Sequence, residues 1–151
     1  MSGEILTIGQ LARQSGCKVQ TVRYYEQVGL MPEPVRTEGN QRRYGPRHVQ
    51  RLAFIRHARE LGFPLEAVRE LLGLADDPDR SCAAADAIAS AHLAEIEHRI
   101  ARLNSLKTEL ERMVAQCRGG RVADCRVIEV LADHGRCLTA HPAETRRGAG
   151  R

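Results

Sequence analysis

Between Ile88 and Met113 one narrow apolar stripe recurs. Ile88, Ile96, Ile100, Leu103, Leu106, Leu110 and Met113 follow one another at mostly three- and four-residue steps. Such steps keep side chains on one face of an α-helix. The charged residues around the stripe leave a seam too narrow for a monomer's core and too long to stay wet. The spacing therefore predicts one helix over 84–116 that needs a second helix against it, and the expected partner is a second copy of the chain lying antiparallel.

Cysteines stand at both ends of that helix. Cys82 precedes it, and Cys117 and Cys125 bracket a short glycine-containing loop that follows it. At a rise of about 1.5 Å per residue, a continuous helix would separate Cys82 from Cys117 by roughly 50 Å. One chain could not then close the triad. An antiparallel pair could, because Cys82 of one copy would stand beside Cys117 and Cys125 of the other, and an ion held by the three thiolates would span the dimer interface.

The chain of 151 residues has room for one ordinary domain, or for a small domain with a dimerisation element. It lacks tryptophan and only 3% of its residues are aromatic, so helix-on-helix packing is expected rather than a large enclosed core. Charge is unevenly spread. Residues 1–60 carry 10 Lys/Arg against 5 Asp/Glu, residues 61–116 carry 6 against 10, and residues 117–151 carry 7 against 4. A basic N-terminal part suggests that a polyanion meets it.

No stretch approaches about 18 uninterrupted apolar residues, so no membrane partner is expected. Met1 to Gln10 lacks the basic and apolar regions of a secretory signal, and the expected location is the cytoplasm. Five cysteines are an odd number. Without an export signal they point to reduced thiols available for metal or redox chemistry rather than to a disulfide framework.

Ile8, Leu11 and Ala12 share one helical face in a segment that stops at Gly16, and a second short helix is expected from about Lys18 to Val28, ended by Gly29. Two short helices joined by a tight glycine-containing turn read as helix-turn-helix. The stretch around Pro32 and Pro34 should be extended. Arg36 to Tyr44 around Gly39-Asn40 carries a hairpin signal, which would form a wing. Pro46 suits the first turn of a third helix running to about Leu61. Gly62-Phe63-Pro64 breaks that helix before a fourth over 65–74, and Ser81 or Asp79 can cap the long helix after a polar connector.

The fold class expected is mostly α: a winged helix-turn-helix region with connecting helices over 1–75, a dimerisation helix forming an antiparallel coiled coil over 76–116, a metal-binding loop and short helix over 117–137, and a disordered tail over 138–151. A helix exposing Lys18, Gln20, Thr21 and Arg23 offers donors that can read base edges in the major groove. Tyr25 falls toward the core, and Cys17 suits a small core position.

Ile8-Gly9-Gln10-Leu11-Ala12, then Thr21-Val22-Arg23-Tyr24-Tyr25-Glu26 with Gly29-Leu30 and Pro32, then Gly39-Asn40 with Arg42 and Tyr44, resemble the DNA-binding region of MerR-type transcriptional regulators. Gln41 stands where such proteins often carry an aromatic residue. The resemblance implies that Arg23, Tyr24, Arg42 and Tyr44 touch DNA, mostly its backbone. It further implies a homodimer on promoter DNA that represses when empty and activates when metal-loaded, presenting a distorted promoter to RNA polymerase. Metal-sensing members carry a two-cysteine loop like that of Cys117 and Cys125, and those answering divalent ions add a cysteine matching Cys82. Copper-sensing members share the seven-residue loop but have serine at that position.

Two thiolates suit a monovalent soft ion, and a third favours soft divalent ions: cadmium, lead, zinc or mercury. Cys82, Cys117 and Cys125 are the expected ligands. Zinc usually takes a fourth, and Cys137, His134 and His141 lie close enough in sequence to supply it. A copper-responsive member and a thiol-based redox sensor on the same DNA-binding region are the alternatives. An enzyme or a metal store fits less well, since no Ser/His/Asp or Cys/His constellation with workable spacing occurs and storage would leave the basic region unexplained.

Overall fold

Thr7 and Gln10 start the first helix by satisfying each other's backbone. The Thr7 hydroxyl accepts from the Gln10 amide at 3.3 Å and the Gln10 side chain accepts from the Thr7 amide at 2.8 Å, a reciprocal cap that removes two orphan donors. In the computed structural model, which describes residues 3–117 and 119–137, this helix is α1, Ile8–Ser15. It ends at Gly16 in the left-handed region, φ 64°. A Cβ there would come within 2.3 Å of the Arg56 guanidinium, the movable end of a flexible side chain, so it is the left-handed backbone that calls for glycine.

Helix α2, Val19–Gln27, follows after a three-residue turn. Strands β1, Val35–Arg36, and β2, Arg42–Arg43, pair antiparallel with Val35 opposite Arg43 and Arg36 opposite Arg42. Helix α3, Pro46–Glu60, begins on Gly45 with proline in its first turn, and α4, Leu65–Ala75, follows Pro64. Leu11, Val22, Leu30, Leu52, Ile55 and Val68 are fully enclosed and form the centre of this core. The apolar periodicity of the four helices thus converges on one small interior, which the short helices bury only by packing together.

Three arginines from α3 and α4 close the helix-turn-helix from behind. Arg56 donates to the Ser15 carbonyl at the end of α1, Arg69 to the Val28 carbonyl at the end of α2 at 2.6 Å, and Arg51 to the Leu30 carbonyl at 2.7 Å. Helix ends leave carbonyls without intrahelical partners and carry partial negative charge, so guanidinium donors there supply both a hydrogen bond and favourable charge.

The described residues up to Ala89 form one compact unit and those from Ser90 onward another. Helix α5, Ala83–Gln116, runs unbroken for 34 residues, with the Ser81 hydroxyl accepting from the Ala83 amide at 3.2 Å at its start. In the second unit, Met113 of α5 and Val130 of the short helix α6, Arg126–Ala132, are buried. Ile100, Leu103 and Leu110 remain more than half exposed. Three of the seven stripe residues are therefore exposed on the single chain, with Ile88, Ile96 and Leu106 half-buried, an apolar run of the kind that marks an interaction surface. No helix among the described residues is long and apolar enough to cross a membrane. The tail expected over 138–151 lies outside the described residues.

Candidate DNA interface and thiolate pair

Helix α2 turns Val22 and Tyr25 inward and leaves Lys18, Gln20, Arg23 and Tyr24 exposed, with Thr21 half-buried. Its free face therefore carries donors of the kind that meet base edges and phosphates. Between this helix and the wing lies a cleft of about 400 Å³ lined by Arg23, Glu26, Gln27, Glu33, Pro34, Arg36 and Arg42. The Arg36 guanidinium donates to the Asn40 side chain at 3.2 Å across the wing tip, where Asn40 takes φ 59°. Tyr25 and Cys17 occupy the core positions expected of them.

Tyr44 corrects the reading drawn from its motif. It is fully buried, exchanges both backbone hydrogen bonds with Leu6, stacks edge-on against His48 at 5.2 Å between ring centroids, and donates its hydroxyl to Glu26. Burial first, then the hydrogen bond and charge of Glu26, push its hydroxyl up to about 12. An enclosed side chain offers DNA nothing, so Tyr44 belongs to the interior of the wing's base. Arg42 is paired with the other oxygen of Glu26 at 2.9 Å and keeps about a third of its side chain exposed. Neither Glu26 nor the three arginines behind the helix-turn-helix stood out in the sequence; each acts on a partner 16 or more positions away.

The second unit holds the two loop cysteines. Cys117 follows the last turn of α5, and the chain reverses through Gly119 and Gly120 at φ 73° and 104° before a 3-10 turn, Val122–Asp124, delivers Cys125 to the start of α6. The backbone amides of Ile128 and Val127 point at the Cys125 sulfur and lower its pKa, and a hydrogen bond from the Cys117 side chain adds to the effect. The two thiols therefore face each other, with the thiolate of one favoured by amide dipoles. Arg126 fastens the arrangement by donating from Nε to the Gln116 side chain at 2.8 Å and from Nη1 to Glu129 at 3.2 Å.

Cys137 is held differently. Burial, followed by the charge of Glu109 and a hydrogen bond to it, raises its pKa. Among the described residues no group of three His, Cys, Asp or Glu side chains is placed to hold a metal ion. His134 lies in a 3-10 turn, His134–Arg136; its side chain and His141 lie outside what the structure describes. Cys82 is exposed in the first unit, just before α5.

Two family models match this chain: MerR HTH family regulatory protein over residues 6–74 and MerR, DNA binding, over residues 49–113. The chain is 38% identical to the heavy metal-dependent transcription regulator 2 of Rhizobium meliloti strain 1021 over 128 residues, 85% of this chain and 87% of the relative. The chain belongs to the MerR family. It is also 42% identical to the HTH-type transcriptional regulator ZntR of Escherichia coli K12 over 127 residues, 82% of this chain and 90% of that one. Among solved structures, the MerR-family fold is shared with PbrR691 from Ralstonia metallidurans CH34 in complex with lead(II), at a TM-score of 0.75 and 39% identity over 83% of this chain and 98% of that one. As a MerR-family member the protein is a DNA-binding transcription regulator and not an enzyme. The free face of α2 presents exposed Lys18, Gln20, Arg23 and Tyr24 within that family fold.

Proposed function

We propose that this MerR-family regulator is a cytoplasmic homodimer that controls a metal-resistance or efflux promoter in response to a soft divalent ion, with cadmium, lead, zinc and mercury as the candidate effectors. The facing Cys117 and Cys125 thiols carry the reading, because they form a two-thiolate half-site whose second sulfur is already biased toward the anion. Cys82 of the partner subunit supplies the third sulfur. Helix α5 is continuous over 34 residues, about 50 Å of rise, which favours sharing between copies over closure within one. The three sulfurs would hold a soft divalent ion as thiolates, giving up three protons and leaving the site with one net negative charge.

Relatives support the class of effector without selecting the ion: one is a heavy metal-dependent regulator and another was solved with lead(II). On the duplex, Lys18, Gln20, Thr21, Arg23 and Tyr24 meet the major groove and its phosphates, Arg42 stands at the wing, and the second copy reads the other half-site. RNA polymerase is the partner that reads the result.

The test is a competition titration of the reduced protein with cadmium, lead, mercury, zinc and monovalent copper, followed by thiolate-to-metal charge-transfer absorption. Tight divalent binding in the wild type, shifted toward monovalent copper in Cys82→Ser, is the expected result. Divalent binding indifferent to Cys82→Ser would overturn the three-thiolate site. A wild type that prefers monovalent copper would select the copper-responsive alternative, and DNA binding that changes only on thiol oxidation would select the redox sensor.

A further inference from the structure

The wing is built from two strands of two residues each, far below what a free hairpin needs to hold an orientation of its own. Side-chain links must therefore set where it stands relative to α2. The carboxylate of Glu26, on α2, uses both oxygens on the base of the wing: Oε1 accepts from the buried Tyr44 hydroxyl and Oε2 from the Arg42 guanidinium. Its side chain is only 10% exposed. Tyr44 is in turn pinned to Leu6 on both sides of its backbone.

We propose that Glu26 is a positioning residue of the DNA interface, fixing the wing to the recognition helix so that both engage the duplex in one register. The inference rests on the DNA-binding activity of the family and not on the metal reading. Its electrostatic sign argues for the role. A carboxylate lining a cleft meant for a polyanion opposes binding and matches the charge of Arg42, so its favourable contribution has to be geometric. Charge-assisted hydrogen bonds to Tyr44 and Arg42 are the strong kind that can hold such a geometry. Arg42 then acts chiefly through Glu26, not as an independent phosphate contact.

The experiment compares two duplexes bound by the metal-free dimer: one enriched from a random-sequence library by the wild-type protein, and a shuffled duplex of the same composition. Glu26→Gln keeps the shape and one acceptor while removing the charge. The specific-to-shuffled affinity ratio should fall about tenfold, the loss of one charge-assisted hydrogen bond. Affinity for the shuffled duplex should hold or tighten, with a salt slope no smaller than in the wild type. Arg42→Gln should lower the same ratio without flattening the slope, and the double variant should be no worse than either single one. An unchanged ratio in Glu26→Gln, a parallel loss on both duplexes as folded protein is lost, or additive losses with a slope reduced by about 1 in Arg42→Gln would each overturn the proposal.

Discussion

The Arg51 guanidinium donates from Nη1 to both carboxylate oxygens of Asp76, at 3.1 and 3.2 Å, while its Nε donates to the Leu30 carbonyl. One side chain thereby joins the chain leaving α2 to the residue that ends α4. The two contacts differ in kind. Asp76 is well exposed, so its ion pair is screened and worth little. Leu30 is buried, and its carbonyl would lose a charged donor. Arg51→Met should therefore cost about 1–3 kcal/mol, whereas Asp76→Ala should cost within about 1 kcal/mol. Urea melts at one fixed protein concentration check the order, and equal losses would show that the ion pair carries the effect.

Thiol reactivity should separate the loop cysteines from Cys137. The lowered pKa of Cys125 raises its thiolate fraction near neutrality, and the raised pKa of Cys137 keeps its thiol neutral until pH is higher. A lowered thiol pKa contributes stability that is present above the ordinary value of 9.0 and is lost as pH falls through the lowered value. Alkylation of the metal-free protein by iodoacetamide near pH 7, followed by peptide mass spectrometry, should modify Cys125 well before Cys137. The reverse order would contradict the assigned hydrogen bonds.

Tyr44 should titrate well above the ordinary tyrosine range. Its hydroxyl moves from an ordinary 10.0 to about 12, so the stability it contributes is complete below pH 10 and is lost as pH climbs toward 12. Tyrosinate absorbance should show an ionisation step in that upper range that is absent in Tyr44→Phe. Glu26→Gln should bring that step to lower pH by removing the neighbouring charge. A step unmoved by Glu26→Gln would deny the contact.

The exposed stripe on α5 leads to a prediction about assembly. Leu103 and Leu110 are 64% and 58% exposed on the single chain, and a coiled-coil seam would cover them. Sedimentation should find a dimer at micromolar concentration in the wild type and a shift toward monomer in Leu103→Glu with Leu110→Glu. A wild-type monomer would remove the basis for a shared site.

Local signals were the legible part of this chain. Gly16, Pro46 and Pro64 mark helix ends through a left-handed turn and fixed φ angles, all decided within a few residues. Leu11 and Ala12 went to the core as their shared helical face implied, and so did Tyr25. Long-range polar pairing was not legible. Tyr44, set among arginines, reads as a phosphate contact until Glu26 is seen 18 positions away accepting the hydrogen bond of its hydroxyl. Arg51, Arg56 and Arg69 each donate to a backbone carbonyl 21 or more positions away, at the end of α1, at the end of α2 or just beyond it, and no spacing rule announces such a partner. At the thiolate loop the cysteine spacing was visible, but the amides that favour the Cys125 thiolate depend on where α6 begins.

The shared metal site is tested most directly by counting tight sites in a mixed dimer. One subunit carries Cys82→Ser and the other Cys117→Ser, with separate tags to purify the pair. If each site takes Cys82 from one copy and Cys117 with Cys125 from the other, both lesions fall on the same site and the second keeps three intact thiolates. The expected result is one cadmium ion per dimer bound with near wild-type affinity. A site closed within each chain would leave one lesion in each, and no tight cadmium binding by the mixed dimer would contradict the shared site.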